Sequence, residues 1–134
     1  MVIDTGVLVS AFAFGGAPEK AVKKAFTESE IYVSQSLLKE YRSIPLELEA
    51  EGKINIIQLK ALITGIAAFV SRAKLVEPQR RVSLCRDPED NMLLECCVAA
   101  SANMLITGDK DLLDIKELPL KLKILTPRQY LQNA

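Results

Sequence analysis

Short apolar runs alternate along the chain with longer stretches in which apolar residues recur every three or four positions. Met1 to Ile3, Ile31 to Val33, Leu75–Val76, Met104 to Thr107 and Leu122 to Leu125 read as strands, since brief apolar runs bounded by turn signals suit buried strands. Ala17 to Thr27 reads as a helix entered through Pro18, whose fixed φ suits a first helical turn. Ser34 or Ser36 can cap the next helix, which carries Leu37, Leu38, Glu40 and Tyr41. Two readings of its end stand open: a stop near Pro45, or a helix that the acidic LELEAEG segment (46–52) resumes as far as Gly52. Asn55 caps a helix with Ile56, Leu59, Leu62, Ile63, Ile66 and Phe69 on its apolar face. Residues 77–87 form a polar, basic loop. Helices then follow over Pro88 to Ala102 and Asp111 to Ile115, and Pro127 opens the last one.

Strand and helix alternate throughout, with no hairpin dipeptide between strands. That order predicts an α/β fold, a three-layer α/β/α sandwich with a central parallel sheet. The 134 residues fit one domain, 1–134. Hydrophobic residues are 49% of the chain and aromatics 5%, without Trp, so the core is expected to be aliphatic.

Lys plus Arg and Asp plus Glu both number 17, so no global charge draws nucleic acid or an anionic membrane. The chain has no His, which excludes His-based triads, His–Cys zinc sites and haem ligation by His. Cys85, Cys96 and Cys97 are an odd count without a pairing pattern, as expected of a reducing compartment. Cys96–Cys97 reads as core packing on a helix, and Cys85 as a free loop thiol. MVIDTG carries no basic leader, and no apolar run approaches the ~20 residues of a membrane span. A cytoplasmic protein is therefore expected.

The acids give this frame its chemistry. Ligands of open parallel sheets bind beyond the carboxyl ends of the strands. Asp4 follows the first strand, and Asp109 follows MLIT after one Gly. Asp90 lies in the first turn of the helix feeding that strand, and Glu40 early in the helix after the second strand. Four carboxylates on one rim, in a chain without His, suit Mg²⁺ or Mn²⁺. Each acid also has a structural reading. Asp4, Asp87 and Asp109 sit where helix N-caps belong, Asp87 and Asp90 have capping-box spacing, and Glu40 alone is a surface residue.

Other chemistries fit less well. Asp4-Thr5-Gly6 spells the aspartic-protease triplet, but that fold is all-β and helical patterns follow here. A phosphoryl-accepting receiver needs an acidic neighbour to Asp4 and a Lys after the last strand, where Thr126-Pro127 stands.

VIDTGVLVSA (2–11), LLKEYRS (37–43), DPEDNMLLECCVAASANMLITGDKDLL (87–113) and ILTPRQYL (124–131) together resemble PIN domains, in the right order over nearly the whole chain. The likeness is greatest to the VapC-like toxins of toxin–antitoxin pairs. The resemblance implies metal-dependent endonuclease cleavage of single-stranded RNA, with Asp4, Glu40, Asp90 and Asp109 as catalytic and metal-binding acids. It implies Thr107 as the hydroxyl beside the last acid, accessory places for Thr5, Ser10 and Asp111, a homodimer, and an antitoxin partner. One departure stands out: Gly6 follows Asp-Thr where the family usually has Asn. Lost support of this kind weakens metal affinity or activity by ~10–100-fold. A weakened PIN-like scaffold or protein-binding module is the competing reading. Arg80, Arg81 and Arg86 ahead of DPED, and Lys39 and Arg42 beside Glu40, are either phosphate contacts or solvated charge.

Overall fold

The computed structural model describes residues 1–116, 118 and 121–132. Five short strands, all paired in parallel, alternate with helices. In chain order they are β1 (Val2–Ile3), α1 (Thr5–Val9), a π-helical turn (Ser10–Phe14), α2 (Ala17–Glu28), β2 (Tyr32–Val33), α3 (Gln35–Ala50), α4 (Ile56–Val70) and β3 (Lys74–Leu75). Then follow α5 (Pro88–Ala100), β4 (Met104–Ile106), α6 (Lys110–Leu113), β5 (Lys123–Leu125) and α7 (Pro127–Gln132).

The expected single sheet is built as two ladders, β1-β4-β5 and β2-β3. The Tyr32 N–H donates to the Met1 carbonyl at 3.0 Å and joins them edge to edge. Helices complete the α/β/α sandwich: α2 packs on α7 and α1, α3 on α4 and α5, and α5 on β1 and β2. Val2, Ile3, Leu105 and Ile106 are buried on the two central strands, as parallel strands covered on both faces require. The core is not wholly aliphatic. Tyr41 and Phe69 are both buried and meet edge to face with centroids 6.4 Å apart.

Local signals explain most element ends. Ser34 caps α3 by accepting from the Leu37 N–H. Asn55 and Gln58 form a reciprocal capping box at the start of α4. That helix buries Leu59, Leu62, Ile66 and Phe69, whereas Ile56 and Ile63, expected on the same face, are exposed. The ends of α5, the third strand and α6 also differ from expectation, and at α3 the continuing reading holds. Helix α3 runs unbroken through Pro45. The missing N–H there is the loss of one hydrogen bond, and burial of Pro45 against the α3–α4 layer offsets it. Helix α5 ends at Ala100 because Ser101 turns left-handed (φ 49°) and the Ala102 N–H returns to the Cys97 carbonyl. The third strand lies one residue earlier than expected, at Lys74–Leu75, and is exposed. Helix α6 is likewise shorter than expected, Lys110–Leu113.

The turn after α1 is wound as a π-helix and ends on Gly15 and Gly16, with φ of 79° and 75° that favour glycine. It carries Phe12 onto Gly65 of α4 so closely that a Cβ there would lie 2.5 Å from the ring. No described helix is long and apolar enough to cross a membrane.

Candidate metal centre

The carboxyl ends of β1 and β4 open into a cleft of about 540 Å³. Asp4, Glu40, Asp90 and Asp109 all line it, and so do Thr5, Gly6 and Ser10. The parallel register explains the convergence. Ile3 pairs with Ile106, so the residues that leave β1 and β4 emerge side by side. Asp4 is placed first, its N–H donating to the Ile106 carbonyl at 2.9 Å.

Asp4 sits at the N-cap position of α1, yet its side chain makes no capping hydrogen bond. Instead Oδ2 accepts from the Thr107 hydroxyl at 2.7 Å. The same hydroxyl oxygen accepts from the Asp109 N–H at 3.0 Å. Thr107 is fully buried and so ties the first acid to the loop bearing the last one. Thr5, also buried, donates to Glu40 Oε1 and links α1 to α3. Ser10 lines the cleft from the π-helical turn.

Asp90 is the buried acid of the group, 5% exposed. Its carboxyl is pushed up to about 7, first by burial, then by the Asp109 charge and a hydrogen bond shared with Asp109, with Asp87 and Asp4 adding. Burial also lifts the Asp4 carboxyl; Asp109 adds to this, while Thr107 and the Gly6 and Thr5 amides oppose it. Glu40 is raised too, by burial and then by Glu89, Asp4 and Asp87, against its bond to Thr5. This is the electrostatic signature of carboxylates crowded without a counter-charge.

The capping roles divide. Asp109 caps α6 by accepting from the Asp111 N–H at 2.9 Å. Asp87 caps α5 through the Glu89 N–H, so the expected capping box with Asp90 does not form. Asp90 is turned inward instead, 5% exposed, on a helix that packs against β1, β2 and α3. Among the described residues, one group brings three acidic oxygens within 4.8 Å of one another: Asp90, Asp109 and Asp111. Asp111, expected as an accessory, thus joins Asp90 and Asp109 in that trio, while Asp4 and Glu40 line the cleft with Asp90 and Asp109. All three donors are carboxylate oxygens, a set that fits a hard divalent cation. Asp87 and Glu89 also line the cleft. Glu89 was not singled out from the sequence, although its place in DPED was a usable signal.

The remaining candidates fall elsewhere. Lys39 and Arg42 line a separate outer groove along α3 and do not face the acids. Cys96 and Cys97 are fully buried, their thiols pushed up to about 11 and about 12 by burial, which makes them inert core residues. Cys85 is half-buried in the loop before α5, and burial also lifts its thiol.

Residues 1–111 match the family described as PIN domain. The chain belongs to the PIN-domain family. It is also 32% identical over 145 aligned residues to an uncharacterized protein of Methanocaldococcus jannaschii, covering 99% of this chain and 90% of the relative. The PIN match contains every residue of the acidic cleft except Pro127. PIN domains are generally nucleases that act on nucleic acids with divalent metals, and the fold and the acidic trio here agree with that class.

Proposed function

We propose that this PIN domain is a Mg²⁺- or Mn²⁺-dependent endoribonuclease that cleaves single-stranded RNA. The observation that carries the reading is the convergence of Asp4, Glu40, Asp90 and Asp109 on one cleft, with Asp111 closing a trio of oxygens. Asp90, Asp109 and Asp111 would hold the cation, with Asp4 beside them. A bound divalent cation supplies charge neutralisation, a lowered water pKa and stabilisation of the leaving oxygen. The protein's own groups do the rest. Thr107 holds Asp4 in line with Asp109. Glu40, fixed by Thr5 and half-buried at the cleft wall, orients the attacking water. An acidic cleft repels phosphodiesters unless its charge is offset, which a bound cation would do.

The test is cleavage of a labelled single-stranded RNA in Mn²⁺. Cleavage stops in EDTA, returns with Mn²⁺ and is lost in Asp109→Asn. An Asp109→Asn protein that cuts as fast as wild type would refute the assignment. The likeness to toxin members supports a toxin-like role, a homodimer and a protein antitoxin that covers the acidic cleft. Gly6 favours the second reading, a weakened PIN-like scaffold. A wild type that neither cuts RNA nor binds Mn²⁺ would establish it.

A further inference from the structure

The acidic cleft has no basic side chain among its described lining residues, yet a nuclease must grip a phosphate. The loop before α5 addresses this need. Asn91 Oδ1 accepts from the Cys85 N–H at 2.8 Å, and its Nδ2 donates to the Cys85 carbonyl at 3.1 Å. One side chain thereby satisfies both polar groups of one loop residue, as a paired strand would. Glu95 adds a second stitch by accepting from the Val82 N–H at 2.8 Å. On the other side, Asp87 is fixed as the cap of α5. Arg86 stands between these two anchored residues with its side chain 91% exposed.

That side chain reaches one acid of the trio: Arg86 Nη2 lies 3.5 Å from Asp111 Oδ2. Among the described residues this is the one ion pair that involves an acid of the trio. An ion pair this exposed contributes little to stability, so the guanidinium is cheaply released. Arg80 and Arg81 lie further back in the loop, exposed and without an ion pair among the described residues.

We propose that Arg86 is the phosphate-gripping residue of the site and that Asn91 is its positioning residue. This rests on the nuclease reading above. Arg86 pairs with Asp111 in the structure. A cation held by Asp111 would release the guanidinium to an RNA phosphate beside it. A planar fork with several donors on a fixed backbone suits two phosphate oxygens at once.

The experiment compares wild type, Arg86→Ala, Arg86→Lys, Asn91→Ala and the Arg86→Ala/Asn91→Ala double variant, each shown to be folded by its thermal melt. Binding of a labelled single-stranded RNA oligonucleotide is followed by anisotropy in Ca²⁺, and cleavage in Mn²⁺. Arg86→Ala is expected to weaken RNA binding about tenfold and to raise KM similarly, with kcat changed less than about threefold. The slope of log affinity against log salt falls by about 0.7, one phosphate contact on a single strand. Arg86→Lys restores that slope but only part of the affinity. Asn91→Ala weakens binding alone but adds little to Arg86→Ala, because the two act as a unit. Mn²⁺ affinity in Arg86→Ala is equal to or tighter than wild type, since Asp111 loses a competitor. RNA affinity and salt slope unchanged in Arg86→Ala overturn the proposal. A wild type that binds RNA through Arg86 but never cuts it leaves this inference standing and removes the nuclease reading. A wild type without RNA affinity overturns both.

Discussion

Asp90→Asn offers a decisive test of the electrostatics, because it removes a carboxyl whose ionisation is opposed by burial and by the neighbouring acids. The Asp90 carboxyl titrates at about 7 in the native cleft, against roughly 3.9 in an unfolded chain. A raised folded value means that the native state keeps the proton longer than the unfolded state. Its contribution to stability is therefore fully present below pH ~4 and is lost as pH rises to about 7. The slope is about 1.4 kcal/mol per pH unit, so the full loss is on the order of 4 kcal/mol. Because Asp90 shares a hydrogen bond with Asp109, whose charge also acts on it, a net gain of about 2–4 kcal/mol is expected for the asparagine. Its amide can donate to Asp109 in place of the shared proton. For a chain of this size that is a rise in Tm of about 5–15 °C. The assay is thermal or urea unfolding of both proteins in EDTA from pH 4 to 8. The stability gap should be near zero at pH 4, widen to pH 7 and then level. Adding Mn²⁺ should reverse the order at pH 7.5, because wild type gains binding free energy and Asp90→Asn does not. An asparagine variant no more stable than wild type in EDTA at pH 7.5, or a gap independent of pH, refutes the reasoning.

Three further outcomes follow from single contacts. Thr107→Val keeps the shape of a fully buried residue but removes the donor to Asp4 and the acceptor for the Asp109 N–H; unfolding titration should show a loss of about 1–3 kcal/mol, and calorimetry a ~10–100-fold loss in Mn²⁺ affinity. Gly65→Ala would ordinarily stabilise a helix interior by ~1 kcal/mol, but the new Cβ would lie 2.5 Å from the Phe12 ring. The thermal melt should therefore fall, by an overpacking cost of about 1–3 kcal/mol, unless Phe12 is also made smaller. Gly6→Asn meets nothing within 4 Å of its added Cβ, so it should fold normally and raise Mn²⁺-dependent cleavage by ~10–100-fold; an equally slow variant would show that Gly6 does not limit the site.

The site was legible in outline because its residues occupy positions that sequence order alone makes equivalent. Asp4 and Asp109 each leave the end of a strand, and in a parallel sheet those ends share a rim. Glu40 and Asp90 sit in early helical turns beside that rim. The caps at Ser34, Asn55 and Asp109 were legible for a local reason, since each bonds a backbone group within three residues. Glu89 and the promotion of Asp111 were not legible, because both depend on where α5 and α6 point once packed.

What the sequence by itself determined was the alternation of strand and helix, the all-carboxylate make-up of the candidate site in a chain without His, and the side of the sheet on which those carboxylates fall. These are properties of periodicity and composition, which act within a few residues. The tertiary structure decided the rest. It set the bond from Thr107 to Asp4 across 103 residues, the bond from Thr5 to Glu40 across 35, and the burial that lifts Asp90 to about 7. It also carried α3 through Pro45 and seated Phe12 on Gly65. A pattern along one chain states which faces turn inward. Only the packed layers fix how closely those faces approach, and electrostatic coupling between carboxylates depends on that distance.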